Sequence, residues 1–288
     1  MISLVRVKSL PSRNSDIGQM SQSCTVEMIQ SPDQLAMPNG GFKYGSDRIL
    51  LCIQGDMNMP SGIVAVSTTP PYDVEQVVNS YHGRPFSSPN DVVVSATDGS
   101  IWFTDPPYGY HQGFRPPPEL PPQVYRFDSR DGSIRAVADG LTKPNGLCFS
   151  PDEATLHVTD TACISGRSWA TFSPAQPGGA HIYAYTVSRI SGQPFLINKR
   201  LFAHADNGVP DGIKCDSHGN VYSGCGDGIY VWNQGGVLLG KILVEGGVAN
   251  FCFGEEGELF IGGETKLWYA RLRARSARTI TSVLGQRL

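Results

Sequence analysis

Along this chain a glycine or charged turn followed by a short apolar run returns five times. The runs are Ile49-Leu50-Leu51-Cys52-Ile53 after Ser46-Asp47-Arg48, and Ile101-Trp102-Phe103 after Asp98-Gly99-Ser100. Leu156-His157-Val158 after Asp152-Glu153-Ala154-Thr155, Val221-Tyr222 after His218-Gly219-Asn220, and Leu259-Phe260-Ile261 after Glu256-Gly257-Glu258 complete the series. Ile, Val, Leu, Tyr, Phe and Trp bounded by Gly, Asp, Asn and Ser mark β-strands. One supersecondary unit repeated along a chain marks a repeat architecture, and with about 40–50 residues per unit it predicts the blades of a β-propeller. Gly99, Glu153, Gly219 and Gly257 mark the repeats at unequal intervals, which variable loops explain.

Composition agrees with many short strands and tight turns: 33 glycines and 21 prolines in 288 residues. The proline-rich stretch from Pro106 through Pro116-Pro117-Pro118 to Pro122 cannot be a central strand and is expected on the rim, as is the segment 161–179. A net charge of −3 gives no electrostatic case for nucleic acid or an anionic membrane. No apolar run approaches the roughly 20 residues of a membrane span. The N-terminal Met1-Ile2-Ser3-Leu4-Val5-Arg6-Val7-Lys8 lacks the layout of a signal peptide, and the compartment is left open. The seven cysteines are scattered without a CxxC spacing, so Cys52, Cys148, Cys215, Cys225 and Cys252 read as small buried hydrophobes rather than disulfide or zinc partners. His157, His181, His204 and His218 share no spacing and are assigned structural roles, and Trp102, Trp232 and Trp268 are assigned to packing between blades.

Three motifs stand at the same place in successive repeats: Pro89-Asn90-Asp91, Pro144-Asn145-Gly146 and Pro210-Asp211-Gly212, each leading into an apolar strand. Equivalent positions in a propeller point at one central channel, so two amides and one carboxylate are expected to converge there. Their oxygens are hard donors that suit Ca²⁺ or Mg²⁺ rather than Zn²⁺. The competing reading is turn chemistry, because Asn-Gly and Asp-Gly are ordinary turn dipeptides. Asp91 and Asp160 are read as turn or strand-end residues.

These motifs, with Asp98-Gly99-Ser100-Ile101-Trp102-Phe103-Thr104-Asp105-Pro106-Pro107-Tyr108-Gly109 and Val158-Thr159-Asp160-Thr161, resemble the gluconolactonase / senescence marker protein (regucalcin) family, in particular its fungal lactonohydrolase-like branch. The resemblance runs from about Pro38 to Leu272. It implies an all-β, six-bladed β-propeller with a divalent ion, usually Ca²⁺, at the floor of the channel. Carried over, the ligands are Asn90, Asn145 and Asp211, joined in the family by a first-blade Glu within a Glu-Gly-Pro or Glu-Ala-Pro motif. No such motif precedes Pro38, and Glu27 lacks it. The first blade is therefore expected to be incomplete: residues 1–37 as its remnant and a linker, with Leu4-Val5-Arg6-Val7 as a surviving strand, and residues 38–288 as the propeller.

The activity so implied is hydrolysis of a lactone or related ester, a small-molecule substrate. A hard ion would polarise the carbonyl, and Asp211, the one carboxylate of the trio, would both bind the ion and take part in activating water. Tyr108 and the rim around Arg115 are assigned to the substrate pocket. The competing readings are a phosphotriesterase- or arylesterase-like hydrolase using the same ion, and a non-catalytic propeller that binds metal or a partner. A metal-free propeller of the strictosidine synthase kind has no use for the trio. There is no G-x-S-x-G elbow, phosphate-binding glycine loop or H-E-x-x-H motif to support other chemistry.

Overall fold

Strict alternation along each strand decides which neighbouring sheet its side chains meet. In the computed structural model, which describes residues 2–7, 24–29, 35–162, 179–263 and 265–277, the strands form consecutive antiparallel meanders. A separate hairpin pairs β1 (Ile2–Val7) with β2 (Cys24–Ile29). Blade 1 runs β3 (Pro38–Tyr44), β4 (Arg48–Ile53), β5 (Gly62–Ser67) and β6 (Val74–Val78), followed by a short hairpin of β7 (Ser80–Tyr81) and β8 (Arg84–Pro85). Blade 2 is β9 (Val92–Val94), β10 (Ile101–Asp105), β11 (Gln123–Asp128) and β12 (Ser133–Ala138). Blade 3 is β13 (Pro144–Phe149), β14 (Thr155–Asp160), β15 (His181–Ile190) and β16 (Gln193–His204). Blade 4 is β17 (Ile213–Cys215), β18 (Val221–Cys225), β19 (Gly228–Trp232) and β20 (Leu238–Leu243). Blade 5 has three strands, β21 (Asn250–Phe253), β22 (Glu258–Gly262) and β23 (Leu267–Arg271). No described helix is long and apolar enough to cross a membrane.

The core lies between blades. Leu50 and Cys52 of β4 and Ile63 and Ala65 of β5 face blade 2, where they meet Val92, Ile101 and Phe103. Their alternates Trp102 and Val93 face blade 3 and pack on Leu147, Phe149, Leu156 and Val158, with Trp102 edge-on to Phe149 at 5.4 Å. Blades 3 and 4 share Ile182, Ile213, Val221, Tyr230 and Trp232. Tyr222, Ile229, Phe251, Leu259 and Ile261 join blades 4 and 5, with Trp268 alongside. The assignment of Trp102, Trp232 and Trp268 to interblade packing holds. A fifth cluster, Leu35, Leu51, Ile53, Val64 and Val66, occupies the face of blade 1 turned away from blade 2.

The expectation of six blades is corrected: the described residues form five blades, not six. Each of the five repeats supplies one sheet, and the described strands outside those sheets form only the two hairpins β1–β2 and β7–β8. Leu4-Val5-Arg6-Val7 is a strand, as expected, but its partner is β2 alone. The repeat markers share a physical cause, since Gly99, Gly219 and Gly257 all turn with φ between 73° and 84°. Glu153 adopts the same left-handed conformation at φ 55° without glycine's freedom. Its carboxylate compensates by accepting from Ala96 N, Thr97 N and Ser95 Oγ of the blade 2 turn.

Candidate functional site

The first strands of successive blades touch one another around the axis, and hydrogen bonds tie them at the Pro-Asn/Asp motifs. Gly40 N donates to Asn90 O at 2.8 Å, Thr104 Oγ1 to Asn145 O at 2.6 Å, and Thr159 Oγ1 to Asp211 O at 3.0 Å. Gly212 N continues the series to Ala249 O at 2.8 Å. Each motif therefore has its backbone held by the preceding blade. Glycine at the next position is what lets the chains come this close: a Cβ on Gly146 would lie 2.5 Å from Asp211 O.

A second bond pair sets the chain just before two of the motifs. Asp105, at the end of β10 and fully buried, accepts from Ser87 N at 2.9 Å and Ser88 N at 2.8 Å. Asp160, at the same place on β14, accepts from Thr142 N at 2.9 Å and Lys143 N at 2.8 Å. Asp160 is thus a strand-end residue with a positioning task. Burial pushes the Asp105 carboxyl up to about 7, against the pull of the two N–H donors and Arg115.

Asn90 and Asn145 are buried and Asp211 half-buried. Tyr108 lies on α1 (Tyr108–His111), a single helical turn in the rim segment after β10. Asn145 Nδ2 donates to the Tyr108 hydroxyl at 3.0 Å, and that hydroxyl also pairs with the hydroxyl of Thr161. Burial and then the carboxylate of Asp211 push the Tyr108 phenol far above its ordinary range, so it stays protonated. Tyr108 and Asn145 are therefore in contact, and the charge of Asp211 reaches the phenol. Asn90 joins through Thr104, whose carbonyl accepts from Asn90 N at 3.0 Å while its hydroxyl bonds Asn145 O.

The donor set fits a hard divalent ion. With Nδ2 committed to Tyr108, the Asn145 amide presents Oδ1 in the opposite direction. Amide and carboxylate oxygens are the donor types that Ca²⁺ takes, usually completed by water and backbone carbonyls.

Other expectations need revision. The Arg115 side chain itself is buried and donates to Ser87 O, Asp56 O, Met59 O, Phe86 O and Ser61 Oγ at 2.8–3.2 Å. It is a clamp holding the rim segment to two loops of blades 1 and 2. Cys52, Cys148, Cys215 and Cys225 are buried as expected, but Cys252 is exposed. His157 is buried with Nδ1 lacking a partner, so it is not a satisfied core histidine. Of the second rim segment, residues 163–178 lie outside the described set.

Lys214 was not singled out from sequence. Its ammonium lies 3.3 Å from Asn250 Oδ1 and 3.8 Å from the Asp91 carboxylate, linking blades 2, 4 and 5. Asp91 is buried with Oδ2 lacking a hydrogen bond, and burial raises its pKa while Lys214 opposes the shift. The available signal was positional: three residues after the motif's Asn or Asp, blades 2 and 3 carry Val93 and Cys148, and blade 4 carries a charge.

The match to known proteins covers most of the chain. The family model described as SMP-30/Gluconolactonase/LRE-like region matches residues 20–263. A gluconolactonase of Zymomonas mobilis subsp. mobilis is 32% identical over 204 residues, which are 64% of this chain and 50% of that protein. A lactonohydrolase of Aspergillus oryzae is 33% identical over 205 residues, 66% of this chain and 45% of that protein. The solved structure of a gluconolactonase from Xanthomonas campestris superposes with a TM-score of 0.71 at 34% identity, covering 85% of this chain and 75% of that one. The chain spans about half the length of the curated relatives it matches. Its repeats, its Pro-Asn/Asp motifs and these matches make it a member of the SMP-30/gluconolactonase/LRE-like family.

Proposed function

We propose that this chain hydrolyses a lactone or a closely related ester at the axial motifs, with Asn90, Asn145 and Asp211 holding a divalent ion, Ca²⁺ in preference to Mg²⁺. The observation that carries the reading is the Asn145–Tyr108 hydrogen bond, which turns the amide nitrogen toward Tyr108 and its oxygen away from it, while the charge of Asp211 is felt at the same phenol. The relatives named gluconolactonase and lactonohydrolase supply the substrate class.

When bound, a hard divalent ion supplies Lewis-acid polarisation of an ester carbonyl. The residues of the chain do the rest. Asn90 and Asn145 orient through oxygens whose backbones the preceding blades hold fixed, so little reorganisation is needed on binding. Asp211, as a carboxylate, would accept a proton from the attacking water. Tyr108, kept protonated, fixes the Asn145 amide and borders the place where substrate enters.

The test is lactone turnover by the purified chain with chelator, after Ca²⁺ readdition, and in Asp211→Ala. Turnover abolished by chelator, restored by Ca²⁺ and absent from the variant is the expected result. Ca²⁺ binding without turnover on any lactone or aryl ester would leave a metal-binding propeller and overturn the catalytic reading. Turnover indifferent to chelator would overturn the metal role.

A further inference from the structure

Cys148, His157 and Cys215 meet at the seam between blades 3 and 4. Alternation along β13 sends Leu147 and Phe149 toward blade 2 and Cys148 toward blade 4. On β14 it sends Leu156 and Val158 toward blade 2 and leaves His157 on the other face, directly across the strand pair from Cys148. Cys215 comes from β17, packed in the same seam cluster. All three are buried, and their donor atoms lie within 4.8 Å of one another.

Two features set this group apart from ordinary packing. The imidazole is only 5% exposed, rests edge-on against Phe202 at 4.8 Å, and has Nδ1 buried without a hydrogen bond. An orphaned polar atom at an apolar seam is unfavourable, and a leucine here would avoid it. The sulfurs are 3.6 Å apart. Two thiolates bound to one tetrahedral Zn²⁺ at the usual Zn–S length of about 2.3 Å stand roughly 3.8 Å apart, so little movement is required.

We propose that Cys148, His157 and Cys215 form a Zn²⁺ site that staples blade 3 to blade 4. Binding releases the two thiol protons to solvent, and each sulfur and one imidazole nitrogen donate a lone pair to the ion. Three protein donors leave the fourth tetrahedral position to a water molecule, and Zn²⁺ with two thiolates sums to zero charge, which suits a buried seam. Ala277 lies beside the site, its N donating to Cys215 O at 3.1 Å and its side chain packed on the same cluster. Cys148 follows Asn145 by three positions and Cys215 follows Asp211 by four. The ion would therefore fix the spacing of the inner strands that carry two of the axial motifs, without being a ligand shared with them.

The test uses the full chain, reduced and stripped of metal, titrated with Co²⁺ and then Zn²⁺. The expected result is one Co²⁺ per chain with thiolate-to-cobalt charge-transfer and tetrahedral d–d bands, bleached by one equivalent of Zn²⁺. Cys148→Ser and Cys215→Ser should fold, by circular dichroism, and lose the bands, while Asp211→Asn keeps them. Zn²⁺ should raise the melting temperature of the wild type and of Asp211→Asn but not of Cys148→Ser. The absence of thiolate bands in the folded wild type, their survival in both serine variants, or a Cys148–Cys215 disulfide found by mass spectrometry in the chain as isolated, before reduction, would overturn the proposal. Because Asp211→Asn separates this site from the axial motifs, failure here is distinguishable from failure of the lactonase reading.

Discussion

The Tyr108 hydroxyl, on a helical turn that follows blade 2, accepts the side-chain amide of Asn145 from blade 3 at 3.0 Å. This one bond decides which end of the amide is left over. Without it Asn145 could rotate and present nitrogen, which repels a cation, where the proposed site needs oxygen.

Tyr108→Phe should therefore weaken Ca²⁺ binding with little effect on folding. Removing a partner that orients a ligand typically costs about 10–100-fold in metal affinity, and a single neutral hydrogen bond sets the lower end here. Calorimetric titration of Ca²⁺ into the wild type and the variant checks it. Equal affinities would show that Asn145 is oriented by something other than Tyr108.

Gly146→Ala should spread the seam between blades 3 and 4. The added Cβ would sit 2.5 Å from Asp211 O and 3.1 Å from Gly212 Cα, both backbone atoms that cannot swing aside. Overpacking of this kind costs about 1–3 kcal/mol, and the displacement falls on Asp211 itself. Gly240→Ala is the control, since an added Cβ on β20 meets nothing within 4 Å. Urea unfolding of the two variants should show a loss for the first and near-neutrality for the second, and activity should fall only in the first.

Strands and axial motifs were legible because both are local. Alternation over five or six residues marks Ile101-Trp102-Phe103, and a proline before Asn90, Asn145 or Asp211 marks the chain entering a first strand. What was not legible depends on which blade faces which. The contact between Cys148 and Cys215 spans 67 positions, so no spacing rule for metal ligands finds it. Arg115 looked like a rim residue because proline-rich neighbours surround it, yet its guanidinium reaches back 54–59 positions to blade 1. The blade number was misjudged for a different reason. The resemblance implied six blades, whereas the repeats in this chain number five and each makes one sheet.

Arg115→Lys should destabilise the fold although charge is conserved. The planar fork of Arg115 serves four carbonyls and one hydroxyl at once, and an ammonium cannot span them. Leaving two or three buried carbonyls unpaired costs about 2–4 kcal/mol. Guanidinium unfolding of the variant measures the loss. A shift under about 0.5 kcal/mol, the usual scale of a surface substitution, would mean that water replaces the clamp.

Asp105 should give the protein a stability that declines with pH. Its folded-state pKa is pushed up to about 7 from an ordinary 3.8, chiefly by burial. Between those values the folded chain holds a proton that the unfolded chain has released. Its contribution is thus fully present below pH 3.8 and is lost as pH rises through about 7. One proton of linkage corresponds to about 1.4 kcal/mol per pH unit within that window. Asp105→Asn removes the titration but keeps an oxygen for one of the two N–H groups of Ser87 and Ser88. The variant should therefore be less stable than the wild type near pH 4, where the neutral carboxyl packs well, and gain on it steadily toward pH 7. Urea unfolding of both proteins at pH 4.5, 5.5 and 6.5 (roughly the middle of the window) reads the difference, which cancels every other titrating group. A constant difference across the series would show that Asp105 is ionised throughout and that its N–H partners outweigh burial.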